Sequence, residues 1–306
     1  MYRLNLPKHS LEEFFDDLFK GRHNNEKNNF LVTRLLNIKS DLVDAEKQYI
    51  SLAEEKLLHT IPVQKIINIS DIVELSDGIP RSILDWEIEK VYSNYLVDTP
   101  GSQKVGREVY ESILSNTYHN LCPYCSHREV KTVDHYLPKT KFLSFAITPV
   151  NLLPCCSDCN KDKLDNHELD AKKMLIHPYF EETRHIKWLK CEVKENLWPI
   201  TFTYEVANDI QDSVLKSRIN YQFNLLNLGK LYADNATREF NYRVKSLIRE
   251  YNTNPSNKAL EFINDNLESY SSENANSWQT NMFEALKSSE WFIEEALPNV
   301  QAYYQK

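Results

Sequence analysis

Two Cys-x-x-Cys pairs, Cys122/Cys125 and Cys156/Cys159, bracket 30 residues and constrain this 306-residue chain more than any other feature. A Cys-x-x-Cys turn brings two sulfurs to one tetrahedral ion, and two such turns complete its shell. The fold must therefore bring the ends of this segment together and hold the intervening residues in a stapled loop. Buried thiols or disulfides are the competing reading. No signal peptide is read at the N-terminus, and the reducing cytoplasm expected for the chain favours zinc over disulfide. Cys155 leaves the second pair ambiguous, because Cys155 and Cys159 are also spaced to chelate. Cys156 is preferred, since it keeps the two-residue turn. His127 is a substitute ligand by type, but reads more simply as a surface or neighbouring histidine.

Inside the staple lies Thr132-Val133-Asp134-His135-Tyr136-Leu137-Pro138, a short extended run ended by proline. Adjacent residues of a strand point to opposite faces, so a carboxylate and an imidazole there reach a metal and a water from different directions. Asn151 sits in a loop between Pro149 and Pro154. Asn160 follows the last cysteine and is expected to open a helix as its cap. Lys139 and Lys141 follow Pro138, and Lys161 and Lys163 follow Asn160. These read either as phosphate contacts or as a solvated charged face. Phosphodiester hydrolysis needs a proton acceptor for water, charge relief on the phosphate and help for the leaving oxygen. A histidine near neutral pKa and hard oxygen ligands for one cation supply these roles.

The segment resembles the HNH endonuclease family. The family pattern runs Cys-x-x-Cys, Asp-His with proline three residues after the His, Asn-Leu, then Cys-x-x-Cys followed by His or Asn. Here it is met by Cys122/Cys125, Asp134-His135 with Pro138, Asn151-Leu152, and Cys156/Cys159 with Asn160. The resemblance implies a ββα-metal core in which His135 is the general base. Asp134 and Asn160 would hold one catalytic divalent ion, Mg²⁺ or Mn²⁺, and Asn151 would orient the loop bearing His135. It covers only the segment from Cys122 to Lys163.

The remaining sequence sets the frame. Hydrophobic residues make up 42% and charged residues 26%, an ordinary globular balance. No run of about 18 apolar residues occurs, so no membrane span is expected. A net charge of −8 argues against passive nucleic-acid binding over the whole surface. The flanks read as helices: a capped one from Ser10 with Leu11, Phe14, Phe15, Leu18 and Phe19 on one face, then Asn29–His59, Pro80–Val97 and Gln103–Tyr118. Thr99-Pro100-Gly101 separates the last two. The helix after Asn160 is expected to reach Met174, and His177 reads as structural rather than as part of a site. Ile186–Val193 and Ile200–Val206 predict a hairpin. Helices return from Gln211, broken near Asn254-Pro255, looping at 271–276 and ending by Pro298.

The expected architecture is mainly α with a small α+β insert. It has a helical region over 1–118, a zinc-stapled nuclease core over 119–180, a β-hairpin over 181–210 and a helical region over 211–306. No helix-turn-helix, basic recognition helix or Walker A motif is visible. The layout is similar to HNH subunits of bacterial anti-phage systems of the Septu and retron-associated type, where the nuclease partners an ABC-type ATPase. That implies a nuclease acting on DNA rather than RNA and helical flanks that dock a protein partner. A standalone restriction-type enzyme, a tRNA-directed nuclease and a non-cutting zinc-stabilised scaffold are the alternatives.

Overall fold

Leu11, Phe14, Phe15, Leu18 and Phe19 form one buried stripe on α1 (Leu11–Phe19), as their spacing requires. The Glu13 carboxylate accepts the Ser10 backbone N–H at 3.0 Å and closes the helix start. The computed structural model describes residues 1–21, 30–69, 75–76, 78–97, 104–164, 169–253 and 258–304. These form two compact units, Tyr2–Glu182 and Met1 with Thr183–Lys306. The boundary expected after 180 thus falls two residues later, and those expected after 118 and 210 lie inside the units.

In the first unit the stripe of α1 packs into a core with α2 (Leu31–Asn37) and α3 (Lys39–Glu54). The single helix expected over this stretch is broken at Ile38, which turns into the core and is 1% exposed; its expected start at Asn29 lies outside the described residues. A short antiparallel pair, β1 (Ile66–Asn68) and β2 (Ser82–Leu84), was not foreseen. It takes the first turn of the helix expected from Pro80, so that helix begins at Asp85 as α4 (Asp85–Val91) and continues as a π turn over Tyr92–Val97. Buried Arg34 makes an ion pair with Glu87 of α4 and donates to the Ser82 carbonyl. One guanidinium therefore ties α2 to β2 and α4. Next comes α5 (Lys104–Leu114), which stops short of the expected Tyr118. The separator expected at Thr99-Pro100-Gly101 lies outside the described residues.

The stapled segment supplies β3 (Thr132–His135), β4 (Leu152–Cys155) and α6 (Ser157–Lys163). Val133 and Leu152 belong to the same core as α1 to α5, which is why no boundary falls at 118. The helix expected to run to Met174 ends at Lys163, where Leu164 turns to φ +46°. Asn160 lies inside α6 rather than capping it; Cys156 is the cap and accepts the Cys159 N–H at 3.4 Å.

The second unit holds the expected hairpin, β5 (Leu189–Val193) and β6 (Phe202–Val206), antiparallel with Leu189 opposite Val206. Phe202, Tyr204 and Val206 are buried while Thr203 and Glu205 are exposed. Its described residues also form the α-helices α7 (Ser213–Leu225), α8 (Leu228–Thr253), α9 (Lys258–Glu273), α10 (Trp278–Ser288) and α11 (Leu297–Tyr304). The break expected at Asn254-Pro255 lies outside the described residues. The loop expected at 271–276 is shorter, because α9 takes residues up to Glu273. Its asparagines are not surface residues: Asn276 Oδ1 accepts the Trp188 and Leu189 N–H groups at 2.9 and 3.2 Å. Nor does Pro298 end the fold, since α11 continues directly from a π turn over Phe292–Ala296 and carries the proline as its second residue. The fold is mainly helical with small antiparallel sheets, and no described helix is long and apolar enough to cross a membrane.

Glu46 of α3 gives this fold a pH dependence. Its Oε2 accepts the Leu11 N–H at 2.9 Å, while its buried Oε1 has no hydrogen bond. Burial pushes its pKa up to about 7, with the Leu11 bond opposing and Glu13 and Glu12 adding repulsion. The folded state therefore holds the proton more tightly than the unfolded chain. The resulting stability is complete below about pH 4.5 and is lost as pH rises through about 7, by up to about 3 kcal/mol. Glu46→Gln keeps the acceptor for Leu11 and removes the charge. In urea unfolding it should gain stability over the native chain at pH 8 and lose that advantage at pH 4.5.

Candidate active site and four-cysteine centre

The Sγ atoms of Cys122, Cys125, Cys156 and Cys159 all lie within 4.8 Å of one another, and all four residues are buried. Tetrahedral Zn–S bonds of about 2.3 Å place sulfurs about 3.8 Å apart, so this group is spaced to hold a structural metal such as zinc. Cys156, not Cys155, belongs to it. Cys155 is the last residue of β4; its sulfur lies 4.0 Å from that of Cys122 but stands outside the four. The backbone N–H groups of Arg128 and Cys159 point at Cys125 and Cys156 sulfurs, each at 3.4 Å, as donors that stabilise thiolates. Hydrogen bonds from neighbouring thiols, Cys122 first, lower the Cys156 pKa. His127 is half-buried and outside the cluster.

From this centre the chain enters the β3–β4 pair, with Thr132 opposite Cys155 and His135 opposite Leu152. One further backbone bond extends the ladder at each end, Lys131 N–H to the Cys155 carbonyl at 3.0 Å and Tyr136 N–H to the Asn151 carbonyl at 2.8 Å. The ladder thus runs from the cysteines to His135. The imidazole Nε2 lies 2.8 Å from the Ala146 carbonyl oxygen, which can only accept, so Nε2 carries the hydrogen and Nδ1 keeps a lone pair. Burial pushes the His135 pKa down to about 3, the Ala146 bond opposing and Lys139 and Lys163 adding to the effect. The ring is therefore neutral at physiological pH, and its pKa lies well below the near-neutral value expected of it, because burial disfavours the charged form.

A cavity of about 500 Å³ opens beside it, lined by Asp134, His135, Pro138, Lys139, Asn160 and Lys161 together with Tyr92, Thr132, Val133, Ser157 and Leu164. Asn160 Nδ2 donates to Thr132 Oγ1 at 3.1 Å, which leaves its Oδ1 oxygen as an unspent acceptor in that bond. Asp134 is 8% exposed. Burial raises its pKa, and the Lys163 ammonium, 3.0 Å from Oδ2, opposes the rise. Lys139 lies 3.6 Å from Glu89 and over the Tyr92 ring, while Lys161 is exposed.

Lys141, Lys163, Asn151 and His177, all named from the sequence, do not line the cavity. Lys163, read as a phosphate contact or a solvated charge, is 2% exposed and bonded to the His135 carbonyl. Its place one turn after Asn160 points it back at β3. Asn151 is fully buried with every side-chain position used. Its Oδ1 accepts Leu137 N–H at 2.7 Å and the Tyr49 hydroxyl at 3.1 Å; its Nδ2 donates to the Leu137 and Phe145 carbonyls, both at 3.0 Å. His177 is 1% exposed and sits among Tyr49, Tyr136, Tyr179 and Phe180. Tyr179 N–H reaches its Nδ1 at 3.3 Å, so its Nε2 donates to the Tyr49 oxygen at 3.0 Å. The Tyr49 hydrogen is thereby directed to Asn151.

Sequence reasoning missed Tyr92. Its ring packs edge-on against His135 at 4.4 Å between centroids, and its hydroxyl donates to the Val133 carbonyl at 3.3 Å. It comes from the π turn, against which α5 packs so closely that a Cβ on Gly106 would fall 1.8 Å from the Tyr95 oxygen. No motif spacing marks this residue; only the fold brings it in.

No protein-family model matches this chain, and no solved structure does. The chain is similar to Protein ea31 of Escherichia phage lambda, 27% identical over 310 residues that span 96% of this chain and 99% of that protein.

Elemental analysis of the purified chain should find about one zinc per chain. Cys125→Ser or Cys159→Ser should lose the metal and the folded hairpin together, since structural zinc contributes on the order of 10 kcal/mol or more. Cys155→Ser should keep both. Zinc loss in Cys155→Ser, or its retention in Cys159→Ser, would contradict the ligand set.

Proposed function

We propose that this chain is a metal-dependent HNH-type endonuclease hydrolysing nucleic-acid phosphodiester bonds, DNA in preference to RNA. One observation carries this reading: Asp134, His135 and Asn160 line a single cavity on a hairpin rooted in the four-cysteine centre. The resemblance in the sequence named these residues, and the cavity gathers them with two lysines of the right charge for phosphate.

The donor set fits a divalent ion. Asp134 lines the cavity with its Oδ2 3.0 Å from the Lys163 ammonium, and Asn160 offers an amide oxygen on the same cavity. A carboxylate and an amide are hard ligands of the kind that Mg²⁺ or Mn²⁺ takes alongside substrate phosphate oxygens. Such an ion, held by Asp134 and Asn160, would neutralise charge on the scissile phosphate and on the leaving oxygen.

His135 takes the proton. Its Nε2–H is anchored on Ala146, so Nδ1 is the basic atom and receives hydrogen from a water directed at phosphorus. Tyr92 packs against the ring and limits its tilt. Asn151 ties both faces of the turn at Leu137 to Phe145, so the loop that carries the Ala146 anchor keeps its place. Lys139 and Lys161 border the cavity and would grip flanking phosphates.

A net charge of −8 leaves little surface to collect nucleic acid unaided. A protein partner that delivers the substrate, of the ATPase type seen in anti-phage complexes, fits that deficit.

The test is cleavage of labelled plasmid and of total tRNA with Mg²⁺ or Mn²⁺, using the zinc-loaded chain alone and with candidate partners. Plasmid should be cut, and His135→Ala should lower the rate at least about 100-fold with zinc content and folding unchanged. Undiminished cutting by His135→Ala would remove the base from this role. No cutting of either substrate in any assembly would favour a zinc-stabilised scaffold.

A further inference from the structure

Among the described residues Lys163 is the only buried lysine, at 2% exposure. An ammonium is kept out of water only where partners replace its hydration. Its partners here are both on β3: the His135 carbonyl and Asp134 Oδ2, the latter 3.0 Å away. Lys163 and Asn160 lie three apart on α6, so one helix face carries an oxygen ligand and a fixed cation to the same carboxylate.

We infer that Lys163 is a resident counter-cation of the proposed metal site, holding Asp134 in place before any ion arrives and weakening the site's grip on divalent cations. The inference rests on the reading in which Asp134 and Asn160 hold the ion. A carboxylate already paired with an ammonium offers an incoming cation almost no net charge, and two cations close to one oxygen repel strongly where water is scarce. The free protein then binds Mn²⁺ or Mg²⁺ weakly. The missing negative charge comes from a nucleic-acid phosphate, so ion and substrate assist one another's binding. Lys163 acts here as a positioning residue that sets charge, not as a phosphate contact.

Mn²⁺ binding to the zinc-loaded full chain, followed by electron paramagnetic resonance at pH 8 without nucleic acid, tests this. Lys163→Met should tighten binding on the order of tenfold, while Lys163→Arg should stay within a few-fold of the native chain. Equal or weaker binding by Lys163→Met overturns the inference. Asp134→Asn should abolish the Mn²⁺ site; binding that survives it unchanged sinks the underlying reading along with the inference.

A thermal-unfolding cycle covers the case in which Lys163→Met folds poorly. The double variant Asp134→Asn with Lys163→Met should melt higher than Lys163→Met alone, because the uncompensated charge is gone. A double variant no more stable than Lys163→Met shows that the two do not pair, and the inference falls.

Discussion

The antiparallel pairing of Thr132–His135 with Leu152–Cys155 is the contact on which the site depends. Strand geometry sends alternate side chains to opposite faces, so one register decides several things at once. Val133 and Leu152 enter the hydrophobic core, and Val133, Asp134 and His135 all border the cavity. Thr132, opposite Cys155, sits where the cysteine centre begins and also receives the Asn160 amide. A slip of one residue would reverse every side chain, carrying Val133 out of the core and the imidazole away from Ala146. The four-sulfur group at one end and the Asn151 bonds at the other secure that register.

Polar residues, rather than apolar ones, do the finer positioning. Asn151 uses two acceptor and two donor bonds, and its amide cannot flip without setting N–H against N–H at Leu137 and oxygen against oxygen at Phe145. Tyr49 and His177 extend the same ordering outward, each hydrogen assigned by the next acceptor. Such a network is stable in a dry interior only if every member is satisfied, as these bonds are.

Much of this was legible because local rules carried it. The stripe of α1, the alternation of β6 and the paired cysteines are patterns of fixed period or spacing. The misreadings share a cause, which is long-range packing acting on an ambiguous stretch. Ser82–Leu84 is apolar at Ile83 and helical by continuity, yet it becomes a strand because Ile66–Asn68, distant in sequence, offers it an edge. Asn160 has the chemistry of a cap, but Cys156 takes that position once its sulfur is turned toward the other cysteines. Lys163 looks like any surface lysine until α6 is laid against β3. Tyr92 carried no signal at all, since its partner lies 43 positions along the chain on an unrelated element.

The hydrogen bonds of Tyr49 bear on how this protein can be dissected. The segment 119–180 contains all the motif residues, and expression of that piece alone would appear to preserve the chemistry. It would leave behind the phenol that fixes the Asn151 amide, the Tyr92 ring that backs the imidazole, and the helices whose side chains bury Val133 and Leu152. The compact unit Tyr2–Glu182 keeps the hairpin with these supports and is about three times the length of the segment 119–180. In this chain the motif is a small part of what a reduced version must retain.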